Sequence, residues 1–350
     1  MGKINVRSPY FINLSTTNLT SAQLEIQIYF GVANTSWQSS PQYTLSSTAI
    51  DDKVNFEIAE LIKDYIQAKF DGGFPTTPAT DAEATTIFVD YRVTETINTT
   101  AQTPVDVLGE RAFYGYGYFE DGANPTFNNV FYLQTNNRIL KNINSTVTIP
   151  VDNTIATRVD WLYQLATVSS VVLTPETKIQ NQISYITNTG NFNVDEVAII
   201  TSFKTLFVAI DSYEKCKYTP IKLTFINKYG AYQEIWMFAN SILSMNTTEE
   251  RYKSNILTNG TYNTYDPQIK LLTKNANQTL TLNSDYYPES YNEIFRQLFL
   301  SEKVWIYYEG QTLGVNIENK QITYKTSLTD SLINYTIDVS FAFDTINNIR

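Results

Sequence analysis

The chain has no histidine among its 350 residues and a single cysteine, Cys216. The first absence removes Ser-His-Asp and Cys-His nucleophilic catalysis, most catalytic zinc sites and the usual proton carrier near pH 7. The second excludes an internal disulfide and a thiolate zinc site. Cys216 lies between Lys215 and Lys217, whose charges favour the thiolate. Without a histidine partner it reads as a plain buried thiol, and a lone thiol agrees with folding in a reducing cytosol. Long apolar runs are missing too. No stretch approaches the roughly 18 uninterrupted apolar residues of a membrane span. The start, "MGKINVRSPYF", has no apolar h-region, so no signal peptide is expected. Val6 stands where N-myristoylation needs Ser or Thr.

Positive charge is also short, with 25 basic against 35 acidic residues and a net charge of −10. A protein that grips nucleic-acid phosphates is basic, so specific DNA binding is not expected. An acidic surface can instead line a conduit through which DNA passes without sticking. "GYGYFEDG" has Gly-x-Gly but no third glycine and no βαβ pattern after it, which argues against nucleotide binding. "FEDGANP" lacks the acidic ladder and closing Glu of a calcium loop. No metal or cofactor is implied. Sequons such as those at Asn18 and Asn259 follow from an Asn/Thr-rich composition.

Aromatic and β-forming residues are plentiful: 25 Tyr and 19 Phe, within a 43% hydrophobic composition. That is enough material for large cores and excludes a disordered chain. Tyr, Phe, Thr, Ile and Val suit pleated, half-buried surfaces. The length predicts two domains. The expectation is a mainly β protein of two β-sandwich-like domains, residues 1–150 and 151–350, with one amphipathic helix in each. The boundary is placed in "INSTVTIPVDNTIATRVDW", where a Pro and a polar interval interrupt the strand pattern.

Periodicity supplies the elements. "LEIQIYF" alternates Leu24, Ile26, Ile28 and Phe30 with polar residues, and "IFVDYRV" (87–93) is a second strand. Val54, Ile58, Leu61, Ile62, Tyr65 and Ile66 form a helical stripe, which predicts a helix over about 54–70 capped by Asp51 or Asp52. A long loop, 71–86, follows. Pro288 after Ser284 or Asp285 opens a second helix, 288–300, with Tyr291, Ile294, Phe295 and Leu298 inward. Val304–Tyr308 and Leu313–Ile317 make a hairpin around "EGQ". "NYTIDVSFAFD" alternates from Tyr335 through Ile337, Val339 and Phe341 to Phe343.

Two stretches invite a functional reading. In "RAFYGYGYFEDGANP", Tyr114, Tyr116 and Tyr118 alternate with Gly115 and Gly117. This is either a sugar-stacking strip or a place where another backbone approaches closely. "LTFINKYGAYQEIWMF" (223–238) reads as a hairpin turning at Asn227–Gly230, apolar on both faces of its return strand. Such a strand is covered on both sides by its own core, a second layer or a neighbouring subunit, or else serves as a ligand platform. Aromatic residues are enriched in interface cores, so Phe74, Pro75, Tyr116, Tyr118, Tyr232, Trp236 and Phe238 are the candidate subunit-interface residues. The enzyme class left open without histidine is a glycosidase using two carboxylates 5 to 10 Å apart, roughly. Asp90, Glu95 and Glu309 are the candidates for that chemistry.

Five segments carry a resemblance. "PIKLTFINKYGAYQEIWMF", "SEKVWI", "TYKTSLTDSLINYTIDVSFAFD", "FEIAELIKDYI" and "YGYGYFEDG" resemble parts of virion structural proteins of tailed bacteriophages, in particular those of Bacteroidetes hosts, including the crAss-like group. They cover a minority of the chain and carry no catalytic motif. The resemblance implies a neck, ring, tail or baseplate subunit built of β-sandwich-like domains. Its partners would be copies of itself in a homo-oligomeric ring, commonly dodecameric or hexameric, and other virion proteins. DNA would pass nearby, no membrane would be involved, and assembly would take place in the host bacterial cytoplasm. Two other readings stay open: a carbohydrate-binding receptor or adhesin subunit of the tail, and a glycoside-cleaving depolymerase.

Overall fold

The computed structural model describes residues 3–75, 83–127, 129–173, 183–188, 193–214, 217–323 and 332–346. Cys216 and residues 76–82 of the 71–86 loop lie outside them. The described residues are 52% strand and 6% helical, far to the β side of an average mix. It divides into two compact units. The first comprises Met1–Glu214, Thr224–Ile235 and Glu293–Glu302; the second comprises Lys215–Leu223, Trp236–Asn292 and Lys303–Arg350. The boundary expected near residue 150 is therefore corrected. Pro150 sits inside the strand Thr148–Asp152, whose five residues are all buried and pair antiparallel with Ile183–Thr187. Flanking β-branched residues keep this segment in a sheet despite the proline.

In the first unit, a sheet runs in the order Lys3–Asn5, Val105–Phe113, Thr86–Ile97, Leu19–Tyr29, Tyr43–Thr48. The expected alternation holds: Leu24, Ile26 and Ile28 face inward, and Leu24 pairs with Val93. A five-stranded sheet follows, in the order Ala166–Val172, Ala156–Tyr163, Glu196–Thr201, Thr205–Tyr213, Arg138–Asn142. Its inner face (Val159, Trp161, Val197, Ile199, Val208) packs against Ile149, Val151 and Ile186 of the Thr148–Asp152 and Ile183–Thr187 pair. This gives a sandwich-like layer with Trp161 at its centre.

Three ionisable side chains are interior to the same unit. Lys3, Arg111 and Asp152 are each 4% exposed or less. Asp152 accepts both Arg111 Nη atoms at 3.2 Å and pairs with Lys3 Nζ at 2.7 Å. Lys3 also lies 4.9 Å from the centre of the Phe127 ring. Burial pushes the Asp152 carboxyl up, but Arg111 and Lys3 together hold it down at about 2.

The helices are shorter than expected, and both lie largely in the first unit. Helix α1 is only Ala59–Lys63. Residues 53–57 are a strand paired with Phe11–Ser15, Phe56 opposite Ile12 and Val54 opposite Leu14. Val54, Phe56 and Ile58 are buried at every second residue, and that period-two pattern overrides the helical stripe sharing two of its positions. Helix α2 is Asn292–Leu300, entered through a single 3₁₀ turn, Glu289–Tyr291. Ile294, Phe295 and Leu298 point inward as expected. Pro288 lies opposite Leu332 in a two-residue strand and is also the N-cap of that 3₁₀ turn.

The second unit is built on one sheet. Gln311–Ile317 and Ile269–Asn283 both pair with Thr336–Phe341. Val304–Tyr308 returns through a two-residue turn, Glu309–Gly310, both with positive φ (49° and 80°), as a type I′ hairpin requires. Leu280, Leu282, Val304, Ile306, Val315, Ile337 and Val339 form the buried face. The alternation ends at Phe341, and Phe343 is exposed. The strands Ile221–Ile226 and Tyr232–Met237 carry the chain from one unit to the other and back.

Candidate assembly interface: an exposed hairpin arm

The second unit extends a hairpin that none of the sequence signals above singled out. Ser241–Lys253, the outer strand, pairs antiparallel with Ile269–Asn283, the inner strand, from Ser241–Leu282 out to Lys253–Ile269. Only residues 279–283 of the inner strand pair with Thr336–Phe341. Thr345 N donating to Ala276 O and Asn275 Nδ2 donating to Asp344 are the last ties at the base. The eight ladder positions from Asn246 to Lys253 reach about 27 Å at roughly 3.4 Å per residue. The tip closes around Asn259–Gly260, both with positive φ, where Thr258 and Thr261 exchange backbone hydrogen bonds at 2.9 and 3.1 Å.

Every residue of the outer strand is exposed. Ten of the 27 large apolar side chains exposed among the described residues fall within residues 241–283. Ile242, Leu243, Met245 and Tyr252 are on the outer strand, Leu257, Tyr262 and Tyr265 at the tip, and Ile269, Leu271 and Leu272 on the inner strand. Leu243 stands directly opposite Leu280, so its face continues the buried face of the sheet into solvent. A two-stranded ribbon is marginal in water on its own, and clustered apolar exposure of this kind marks an interaction surface. The outer strand is also a terminal strand of its sheet. Such edges are usually blunted by Lys, Pro or inward charge, yet "SILSMNTT" contains none of these. Farther out, Glu249 pairs with Arg251 and, at 3.9 Å, with Lys274. These exposed pairs add little stability.

The seven candidate interface residues lie elsewhere, and three of them are interior. Tyr116 and Tyr232 are buried in the first unit and Phe238 in the second, which leaves them no free face for a neighbour. Tyr232 donates its hydroxyl to Lys69 O at 2.7 Å and packs between Phe70 and Tyr185. Phe74 is half-buried against Phe70 and Tyr185. Trp236 stacks near Phe238 and is half-buried; Pro75 is exposed. The 223–238 hairpin is thus core, turning as expected at Asn227–Gly230, with Gly230 at φ 76°.

The tyrosine strip is a packing device within the first unit. The strand ends at Phe113, and residues 114–118 are irregular. A side chain at Gly115 would put its Cβ 2.5 Å from Lys228 O, so the glycine admits a second backbone. Tyr116 N donates to that same carbonyl at 2.9 Å. The Tyr114 hydroxyl donates to Glu302 and that of Tyr118 to Glu293, each at 2.6 Å. The Arg296 guanidinium covers the Tyr118 ring at 3.6 Å. Burial raises Glu302, but the Tyr114 hydroxyl, Arg7 and Lys63 bring it down to about 2.

The carboxylate candidates are placed apart. Asp90 is fully buried and accepts from the Tyr29 hydroxyl, Asn34 Nδ2 and Gly109 N. Glu95 accepts from the Thr16 hydroxyl. The two are five residues apart on one strand, so they face opposite ways and lie roughly 17 Å apart, beyond the spacing that glycoside cleavage requires. Glu309 sits on its hairpin turn in the second unit, at the rim of a cleft of about 610 Å³ lined by Tyr218, Tyr307, Tyr308, Asn240 and Thr219. In "FEDGANP", Asp121 caps a 3₁₀ turn by accepting from Tyr118 N. Among the described residues no group of three or more Asp, Glu or Cys is placed to hold a metal ion, and no helix is long and apolar enough to cross a membrane.

No protein-family model matches the chain, and no curated protein matches it.

Proposed function

We propose that this chain is a non-enzymatic structural subunit of a tailed-phage virion that assembles into a homo-oligomeric ring of the neck or tail around the DNA path. The observation that carries the reading is the arm. A ribbon with apolar side chains along its length and an open hydrogen-bonding edge is unfavourable in water, and a neighbour that covers it removes the cost. The acidic charge suits a wall that DNA must not adhere to, and the five resembling segments supply the virion context. Light scattering of the purified chain, with negative-stain images of the peak, tests this. Closed rings are the expected outcome; a monomer at every concentration up to the solubility limit refutes it.

The cleft beside Glu309 favours a second reading, a carbohydrate-binding tail subunit. Tyr307 is 52% exposed there, offering a flat apolar face rimmed by polar groups, which suits a pyranose ring. Titration with host surface polysaccharide discriminates, since a ring subunit should ignore it.

A further inference from the structure

The arm's charge differs from that of the rest of the chain. Residues 241–283 hold four basic residues (Arg251, Lys253, Lys270, Lys274) and three acidic ones (Glu249, Glu250, Asp266). The remaining residues hold 21 basic and 32 acidic. Two arms are therefore weakly repelled by one another, whereas an arm and the body of another copy attract. The arm is also of the right size. Its 30 residues beyond the base, 246–275, match the roughly 20–30 residues per side of a standard interface.

Resting on the self-assembly reading above, we propose that the arm docks on the body of a second copy of this chain, and not on that copy's arm. Donor and acceptor surfaces then differ, so the contact is heterologous. Repeating it closes into a ring when the rotation divides a full turn and runs on as a filament when it does not. Each copy donates one arm and accepts one. The open edge of Thr248–Lys253 and the apolar faces at Tyr252, Leu257, Ile269 and Leu271 are what the acceptor covers.

The test mixes two forms of the full chain. In one, Thr248–Asn275 is replaced by Asn-Gly, which closes a two-residue turn on the retained Thr247–Ala276 pair. That form can accept an arm but has none to give. Native mass spectrometry of the armless form mixed with wild type should show short mixed species, each ending in one armless copy, and a fall in full-size assemblies. If wild type assembles alone but the armless form never enters its oligomers, the arm-to-body contact is overturned while self-assembly stands. If wild type does not assemble at all, both fail. Circular dichroism of the armless form checks its fold. A second variant, Lys253→Glu with Lys270→Glu, leaves the ladder intact and reverses the arm's charge. It should weaken self-association tenfold or more at low salt; unchanged association would overturn the charge argument.

Discussion

In the first unit, Lys3, Arg111 and Asp152 are taken out of water and held by one another; in the second, ten large apolar side chains of the arm are left in water. Each arrangement is unfavourable for its own residue types until partners are supplied. The first unit supplies them from within its own chain, bringing together residues more than a hundred positions apart. The arm has no comparable partners among the described residues of its own unit beyond the base. A body that satisfies its costly groups internally can be finished as a single chain. A ribbon that does not is, on the proposal above, finished by assembly.

The largest stability effect expected on the body side comes from Asp152→Ala, which leaves two buried cations unpaired. Removal of one partner from such a cluster costs about 3–5 kcal/mol, and denaturant unfolding should show it in the transition of the first unit. Next is Gly115→Ala. The new Cβ meets the Lys228 carbonyl, and forcing the two backbones apart should cost about 1–3 kcal/mol, read as a lowered Tm. Acid provides a third test. Asp152 and Glu302 have folded pKa values held near 2, below those of free carboxyls, so their contribution is present above about pH 4. It should be lost progressively as pH falls from about 4 to 2, and Asp152→Asn should flatten that part of the stability profile. The smallest stability effect belongs to the arm. Leu271→Ser with Leu272→Ser should shift unfolding by no more than about 0.5 kcal/mol while abolishing self-association by light scattering. If these serine substitutions unfold the second unit instead, the contrast between body and arm collapses.

Much of the body was legible from the sequence because its strands bury alternate residues. Leu24–Ile28 and Tyr335–Phe341 show that pattern, and Glu309–Gly310 turns the hairpin whose partners flank it. The 54–58 segment misled because Val54 and Ile58 satisfy a period of two and a period of 3.6 equally, and only the strand Phe11–Ser15, forty residues earlier, decides between them. The tyrosines at 114–118 were legible as a close approach but not as core, since the residues covering them come from positions near 228 and 296. The arm left almost no hydrophobic period to read, because neither of its faces is buried beyond the base. Its one local signal was the Asn259–Gly260 dipeptide, which is also a hairpin turn.

The first unit is discontinuous along the chain: Glu293–Glu302 belongs to it, although the whole arm precedes those residues. During synthesis, Tyr114 and Tyr118 wait for Glu302 and Glu293, which the ribosome adds some 180 residues later. The nascent first unit therefore stays open until after the arm has emerged. On the proposed arm-to-body contact, a copy becomes an acceptor only once its own synthesis has passed Glu302, well after it can offer an arm.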